Sequence, residues 1–152
     1  KFADYCIKTG VNGLIVPDVP IDEYEDFFCN VFNETEIILL ATPTTSEERL
    51  KKIDELSRGF LYYVSMTGTT GSAINHTNNY LEPIKRASRI IKRNKMLVGF
   101  GISTPDDVKS FSPFCSGVIV GSAVIKSLKN DNNNYEKTLS LVRSLKSALN
   151  DN

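Results

Sequence analysis

This sequence lacks net charge, long apolar runs and cysteine clusters, and each absence argues against a class of protein. The 152 residues carry 18 Lys and Arg against 18 Asp and Glu, and the resulting zero net charge argues against nucleic acid or an anionic membrane as a main partner. No apolar run approaches the roughly 18 residues of a membrane span. The cysteines, Cys6, Cys29 and Cys115, are far apart and form no CxxC or Cys/His cluster. We therefore expect no metal site and no disulfide framework, only buried thiols in a reducing compartment.

Two other absences concern catalysis and cofactors. The only histidine, His76, lies in a polar loop, where we expect it to be solvated and not catalytic. No Gly-x-Gly-x-x-Gly motif follows the first apolar run, which argues against a dinucleotide-binding fold.

Five short apolar runs are present, and most of them do not alternate with polar residues. Continuous runs of this kind are typical of parallel strands covered by helices on both faces. The predicted strands are residues 13–19, 36–42, 60–65, 95–101 and 117–121. Helical patterns at 2–10, 21–32, 46–57, 80–92, from Thr104 onward, and at 135–149 separate and flank them. Because the chain begins inside such a pattern, at Lys1, we expect it to be a piece of something longer.

The strict alternation of strand and helix predicts one parallel sheet, either open and doubly wound or part of an eight-stranded barrel. Two successive strands end in glycine, at Gly99–Gly101 and at Gly121. Glycine leaves room for an anion to approach the backbone, so this pair favours the barrel, with a phosphate cup at its C-terminal rim. The fold prediction is an α/β fold, an incomplete TIM (β/α)8 barrel of about five β/α units.

Other strand ends supply further candidates. Asp18 is the only carboxylate at a strand end and is a weak candidate for a catalytic base; we favour a structural role, in which it accepts backbone N–H groups of its loop. The segment 67–79 contains glycines and small hydroxyl residues, and it suits either a mobile lid or an ordinary surface loop. Tyr62 and Tyr63 are adjacent in a strand and should therefore face opposite sides of the sheet.

Four motifs, in order along the chain, resemble the tryptophan synthase alpha subunit family. They are Leu14–Pro20 with Ile-Asp-Glu23, Phe60–Ser65 with Thr-Gly-Thr-Thr-Gly71, Gly99–Ser103 with Pro-Asp-Asp-Val108, and Gly121–Lys126. The resemblance runs over nearly the whole chain and implies that residues 1–152 are the C-terminal part of a single TIM-barrel domain, comprising strands four to eight.

The resemblance also implies an activity and a partner. The family is a carbon–carbon lyase of tryptophan biosynthesis that cleaves indole-3-glycerol phosphate to indole and glyceraldehyde 3-phosphate. It uses no cofactor of its own, since pyridoxal phosphate belongs to the beta subunit of the alpha2-beta2 complex. The segment Asp18–Pro20 resembles part of the beta-subunit interface. The expected compartment is the cytoplasm or, alternatively, a plastid.

The substrate-binding residues are carried over motif by motif. Phosphate contacts are implied for Gly71, Gly101, Gly121 and Ser122, an indole contact for Phe100, an active-site tyrosine for Tyr62 and a lid threonine for Thr70. Some relatives have arginine where Met66 stands, so a charge from the lid is not expected here.

The catalytic glutamate and the indole-binding aspartate of the family belong to the first three strands, which have no counterpart in this chain. We therefore expect the chain alone to be inactive. Contacts to the phosphate bind substrate and product equally, so they do not lower the reaction barrier. An open sheet of five strands should also be a poor folding unit. The alternatives are a non-catalytic phosphate-binding or beta-subunit-docking module, and another phosphate-binding barrel enzyme.

Overall fold

The computed structural model describes residues 1–29, 32, 34–65, 81–132 and 134–150, without the side chains of Glu25 and Cys29. Strands and helices alternate along the chain. The α-helices are α1 (Phe2–Lys8), α2 (Glu47–Leu56), α3 (Glu82–Ile90), α4 (Pro105–Phe111), α5 (Ser122–Lys129) and α6 (Glu136–Asn150). The strands are β1 (Gly13–Ile15), β2 (Glu36–Ala41), β3 (Leu61–Val64), β4 (Met96–Gly99) and β5 (Gly117–Ile119).

The five strands form one parallel sheet in the order β1-β2-β3-β4-β5, which confirms the predicted α/β fold. Leu40 pairs with Tyr62, Tyr62 with Leu97, and Leu97 with Gly117, so these positions share one face of the sheet. Each strand ends earlier than its apolar run, because the last residues of the runs turn away from the ladder to form the C-terminal rim. The sheet does not close, and the barrel is partial.

The two faces of the sheet differ in burial. The face that packs against the helices is fully buried: at most 1% of each residue's surface is exposed for Ala41, Leu61, Tyr63 and Val98. On the opposite face, which a closed barrel would enclose, Tyr62 and Leu97 are only half-buried and Ile15 is 43% exposed. Tyr62 and Tyr63 do face opposite sides, as predicted. The hydroxyl of Tyr63 has no hydrogen-bond partner among the described residues, and burial raises the pKa of Tyr63 to about 12, partly offset by Arg86.

Local signals explain where α2 and α4 begin. The Ser46 hydroxyl accepts from the N–H of Arg49 at 3.3 Å and caps α2. At α4, Thr104 is the N-cap and Pro105 occupies the first helical position, where its missing N–H costs nothing. Both helices were predicted at these positions.

The predicted helix at 21–32 is wrong in type. Ile21–Glu23 form a 3-10 turn and Glu25–Cys29 a π-helical turn. Here tertiary contacts compete with regular helical hydrogen bonding: the Tyr24 hydroxyl donates to the Leu56 carbonyl at 3.2 Å, and the Tyr24 ring packs against Phe28 with centroids 5.5 Å apart.

Asp54 joins the end of α2 to the turn that leads into β4. Its buried carboxylate accepts the backbone N–H groups of Lys92, Arg93 and Asn94 at 2.7, 2.9 and 2.9 Å. Burial acts to raise the pKa of Asp54, but these hydrogen bonds outweigh it and hold the pKa below its ordinary value. The turn before β4 is therefore held to α2 by a charged group that the apolar pattern did not indicate.

Two outer surfaces expose large apolar side chains. At the β1 end, Phe2 and Tyr5 of α1 are 62% and 64% exposed; at the β5 end, Ile125 of α5 and Leu139 of α6 are 55% and 49% exposed. Helices of globular proteins normally bury such stripes. Among the described residues, no helix combines the length and the apolar character needed to cross a bilayer.

Candidate functional site

A cavity of about 620 Å³ lies at the C-terminal rim of β3, β4 and β5. Its walls come from two strand residues, two rim loops and the helices that follow β5. The described residues that line it are Tyr62, Phe100, Gly101, Ile102, Ser103, Thr104, Ile119, Gly121, Ser122, Ala123, Lys126, Ser127, Asn130 and Leu141. The carboxyl ends of parallel strands are where α/β barrels place their ligand sites, so this cavity is the candidate site.

The loop after β4 has an unusual backbone. Phe100 and Gly101 are consecutive residues in the left-handed region, with φ of 81° and 77°. Glycine adopts this conformation without strain, whereas phenylalanine does so at a cost of order 1 kcal/mol or more. The Ser65 side chain holds the loop: its hydroxyl is 2.6 Å from the Phe100 carbonyl oxygen and 2.8 Å from that of Gly99. The strained turn leaves the Phe100 ring half-buried at the cavity wall.

The N-terminus of α4 also reaches the cavity, but its backbone donors are already occupied. The Asp107 carboxylate accepts the N–H groups of Ser103 and Thr104 at 2.9 and 2.8 Å, and the Thr104 hydroxyl accepts the N–H of Asp107 at 3.2 Å. Burial acts to raise the pKa of Asp107, and the hydrogen bonds from Ser103 and Thr104 outweigh it, so the net pKa is lowered. This end of the cavity carries a fixed negative charge and is unsuited to an anion.

The N-terminus of α5 is the opposite case. Gly121 is its N-cap, and among the described residues no side chain caps it. The N–H groups of the first turn have no partner within a helix and carry a partial positive charge, so they are directed at whatever occupies the cavity. A Cβ at Gly121 would meet no atom of the described residues within 4 Å. The glycine therefore leaves open space beside the helix end.

Tyr62 forms the strand wall of the cavity, and Gly99 makes room for it. A Cβ on Gly99 would lie 2.6 Å from Cζ and 2.8 Å from Cε1 of the Tyr62 ring, and would also collide with its hydroxyl oxygen. The ring therefore crosses β4 at the one position without a side chain. Burial raises the pKa of the Tyr62 hydroxyl, so it remains protonated at neutral pH and can donate a hydrogen bond.

The chemistry available in the cavity is limited. Among its described lining residues there is no Asp, Glu or His, and Lys126 is the single charged side chain. The described residues also contain no group of three or more His, Cys, Asp or Glu that could hold a metal ion. The described wall can therefore bind and orient a ligand, but it holds no carboxyl group for proton transfer.

The structure brings together five of the residues singled out in the sequence: Tyr62, Phe100, Gly101, Gly121 and Ser122 all line the cavity. Thr70 and Gly71, together with Met66 and His76, lie outside the described residues.

Asp18 does not line the cavity. Its side chain is exposed, and it makes no hydrogen bond or ion pair among the described residues. The described residues thus offer no support for the expected role of Asp18 in holding its loop, which stays a prediction.

Sequence reasoning missed two contributors. The Ser65 hydroxyl supports the loop after β4, and only its position at a strand end could have suggested this. Lys126 is the last residue of the motif Gly121–Lys126, but the sequence pattern predicted no helix there, so no role was assigned to its side chain. Its position four residues after Ser122 is the signal that could have been used, since that spacing returns to the same helix face.

The parallel sheet, the helices on one of its faces and the cavity at its C-terminal rim define a partial (β/α)8 barrel of the class that holds its ligand at the strand ends. The family model for the tryptophan synthase alpha chain matches residues 1–151. The chain belongs to the tryptophan synthase alpha chain family.

Individual relatives agree with this assignment. The alpha chain of Petrotoga mobilis is 36% identical over 153 residues, which covers 98% of this chain and 58% of the relative; that of Dehalococcoides mccartyi is 37% identical over 150 residues, with the same coverage. Among solved structures, the tryptophan synthase a2b2 complex of Pyrococcus furiosus matches with a TM-score of 0.76 at 34% identity, covering 98% of this chain and 60% of that one. The chain thus spans less than two thirds of the length of these relatives.

Proposed function

We propose that this chain is the phosphate-binding portion of a lyase that cleaves indole-3-glycerol phosphate to indole and glyceraldehyde 3-phosphate. The observation that carries the proposal is the 620 Å³ cavity, which is lined both by the start of α5 and by Phe100 and Tyr62. The substrate carries a phosphate at one end, which suits the α5 N-terminus, and an aromatic ring at the other, which suits the two aromatic side chains.

In this arrangement the phosphate oxygens accept hydrogen bonds from the first-turn N–H groups of α5, beside Gly121 and Ser122. Gly101 allows the backbone after β4 to approach the same anion. Phe100 contacts the indole ring, and the protonated Tyr62 hydroxyl donates to a substrate oxygen. Gly71 and Thr70, which lie outside the described residues, are proposed to complete the cup from the third strand end.

We further propose that the chain alone does not catalyse the cleavage. The reaction requires a proton on C3 of the indole and removal of a proton from the glycerol hydroxyl, and positioned acid–base groups are typically worth ~10²–10⁴ in rate. The described lining provides no carboxylate or imidazole for these transfers. Binding that is equal for substrate and product does not lower the barrier.

The missing groups would come from three further β/α units of the same barrel, with residues 1–152 as its C-terminal part. These units would pair with the outer edges of β1 and β5 and cover the exposed apolar residues of α1, α5 and α6. The proposed partner of the complete barrel is a beta subunit, in an a2b2 assembly like that named for the Pyrococcus furiosus structure. The segment Asp18–Pro20 is the proposed contact, and pyridoxal phosphate would reside in the beta subunit only.

The test is indole release. We expect the 152-residue chain to release no indole from indole-3-glycerol phosphate above the rate without protein, while still binding glycerol 3-phosphate in calorimetry. Gly121→Val should abolish this binding without changing the urea midpoint, because its side chain enters open space. Measurable turnover by the chain alone, or unchanged phosphate affinity in Gly121→Val, would contradict the proposal.

One alternative has an observation in its favour. The described part of the cavity wall holds no carboxyl or imidazole group, and this also suits a non-catalytic module that binds a phosphate ester or docks on a beta subunit. The two functions differ in a single measurement. Only the lyase portion regains indole release when the first three β/α units of a relative, such as the Petrotoga mobilis alpha chain, are fused ahead of it.

A further inference from the structure

The N-terminus of α5 at the cavity favours an anion, yet the segments around the cavity carry very little positive charge. None of the five segments that follow the strands, residues 16–20, 42–46, 66–80, 100–104 and 120–125, contains Lys or Arg. A phosphate ester that enters the cavity brings about two negative charges, and one helix end offers about half of a positive charge. A further cation is needed to match it.

Lys126 is the cationic side chain among the described residues that line the cavity. It lies four residues after Ser122 on α5, so both residues occupy the same face of the helix. Side chains on a helix lean toward its N-terminus, and the four-carbon stem of lysine is longer than one helical turn. The ammonium group of Lys126 can therefore reach the first turn of α5, where the N–H groups are directed at the cavity.

Lys126 also differs from several other cations of the described structure in its pairing. Arg49 and Lys52 are paired with Asp22, and Lys85 is paired with Glu82. Among the described residues, no acidic side chain lies within ion-pair distance of Lys126. Its charge is thus not neutralised by the part of the protein that the structure describes.

We propose that Lys126 is a ligand-binding residue that supplies the counter-charge for the phosphate ester in this cavity. The inference rests on the proposed phosphate site and extends it. Lys126 selects the doubly charged form of the ester, whereas the backbone N–H groups of α5 position it. Lys129, three residues further along the same helix, does not line the cavity and has no such role.

The experiment measures the dissociation constant of glycerol 3-phosphate by calorimetry, at pH 8 and at two salt concentrations. The whole chain and each variant are used fused behind the first three β/α units of the Petrotoga mobilis alpha chain, since five strands alone are expected to be a poor folding unit. We expect Lys126→Met to weaken binding about tenfold and to flatten the salt dependence, because a charge-assisted hydrogen bond is removed. Lys126→Arg should remain within about twofold of the unchanged chain. Lys129→Met is the matched control, since it removes an equal charge from the same helix outside the cavity, and it should leave the affinity unchanged.

The outcomes separate this inference from the proposed function. If Gly121→Val abolishes binding but Lys126→Met stays within about twofold of the unchanged chain, the phosphate site stands and the role of Lys126 is refuted. Equal losses in Lys126→Met and Lys129→Met also refute it, because the effect would then be one of net charge only. If the unchanged chain does not bind glycerol 3-phosphate, or if Gly121→Val does not weaken binding, both proposals fail. Lys126 is exposed, and circular dichroism of each variant checks that the fold is retained.

Discussion

The contact between Gly99 and Tyr62 offers the sharpest test of how the cavity wall is built. Alanine at position 99 would place its Cβ 2.6 Å from Cζ of the Tyr62 ring. Ordinary contact begins at 3.4 Å, so Cζ must withdraw by at least about 0.8 Å, the difference between these two distances, and the nearer hydroxyl oxygen must move further. Because the ring borders the open cavity, it can move, and the movement displaces its hydroxyl.

The energetic cost follows from that freedom. Overpacking a closed core costs about 1–3 kcal/mol, and a ring that can turn into a cavity belongs at the lower end, so we expect Gly99→Ala to reduce the free energy of unfolding by about 1 kcal/mol. In the Tyr62→Leu background the colliding atoms are absent. There the same substitution should be neutral or stabilising by a few tenths of a kcal/mol, because alanine restricts the unfolded chain.

Urea unfolding of the two single variants, the double variant and the unchanged chain gives the coupling energy directly. Tyr62→Phe is a useful companion, since it keeps Cζ and Cε1 and should not relieve the collision. Gly121→Ala is the control, because no atom lies within 4 Å of its Cβ, and the free energy of unfolding should not change. If Gly99→Ala costs the same in both backgrounds, the assignment of Gly99 as the space for the Tyr62 ring is refuted.

Three further substitutions test the supports of the site, each by urea unfolding. Ser65→Ala should cost about 1–2 kcal/mol, because the strained Phe100 loses its hydroxyl donor; a loss below about 0.3 kcal/mol would show that the turn holds itself. Thr104→Ala should cost about 1 kcal/mol through loss of the α4 cap, and an unchanged midpoint would refute that role. Asp54 has a lowered pKa in the folded state, so its contribution is complete at neutral pH and is lost as the pH falls through the folded pKa, below about pH 4. Asp54→Asn should therefore flatten the acid limb of stability against pH, and an unchanged slope would contradict the assignment.

The order of elements was predictable because it depends on short-range patterns. Continuous apolar runs can be satisfied only in strands covered on both sides, and the Thr104–Pro105 and Ser46 starts are local signals that need no partner. The glycines at the ends of the last two strands indicated the rim to which the site belongs. The helical type of Ile21–Cys29 was not predictable, because packing of the Tyr24 and Phe28 rings competes there with regular hydrogen bonding.

The family assignment likewise follows from sequence, since motif order and identity survive without coordinates. The roles of individual rim residues do not. Gly99 of β4 is 34 residues from Ser65 and 37 from Tyr62, and only the parallel register of β3 and β4 brings it beside them.

The sequence alone therefore determined the alternation of strands and helices and the glycines at the rim, because both follow from local backbone and burial requirements. Only the tertiary structure decided which residues border the cavity. Asp107 caps α4 through hydrogen bonds that are local in sequence, and Gly121 at the start of α5 has no side chain to do the same. That both helix starts lie at one cavity beside Tyr62 is a property of the folded chain, because it depends on the parallel register of strands far apart in sequence.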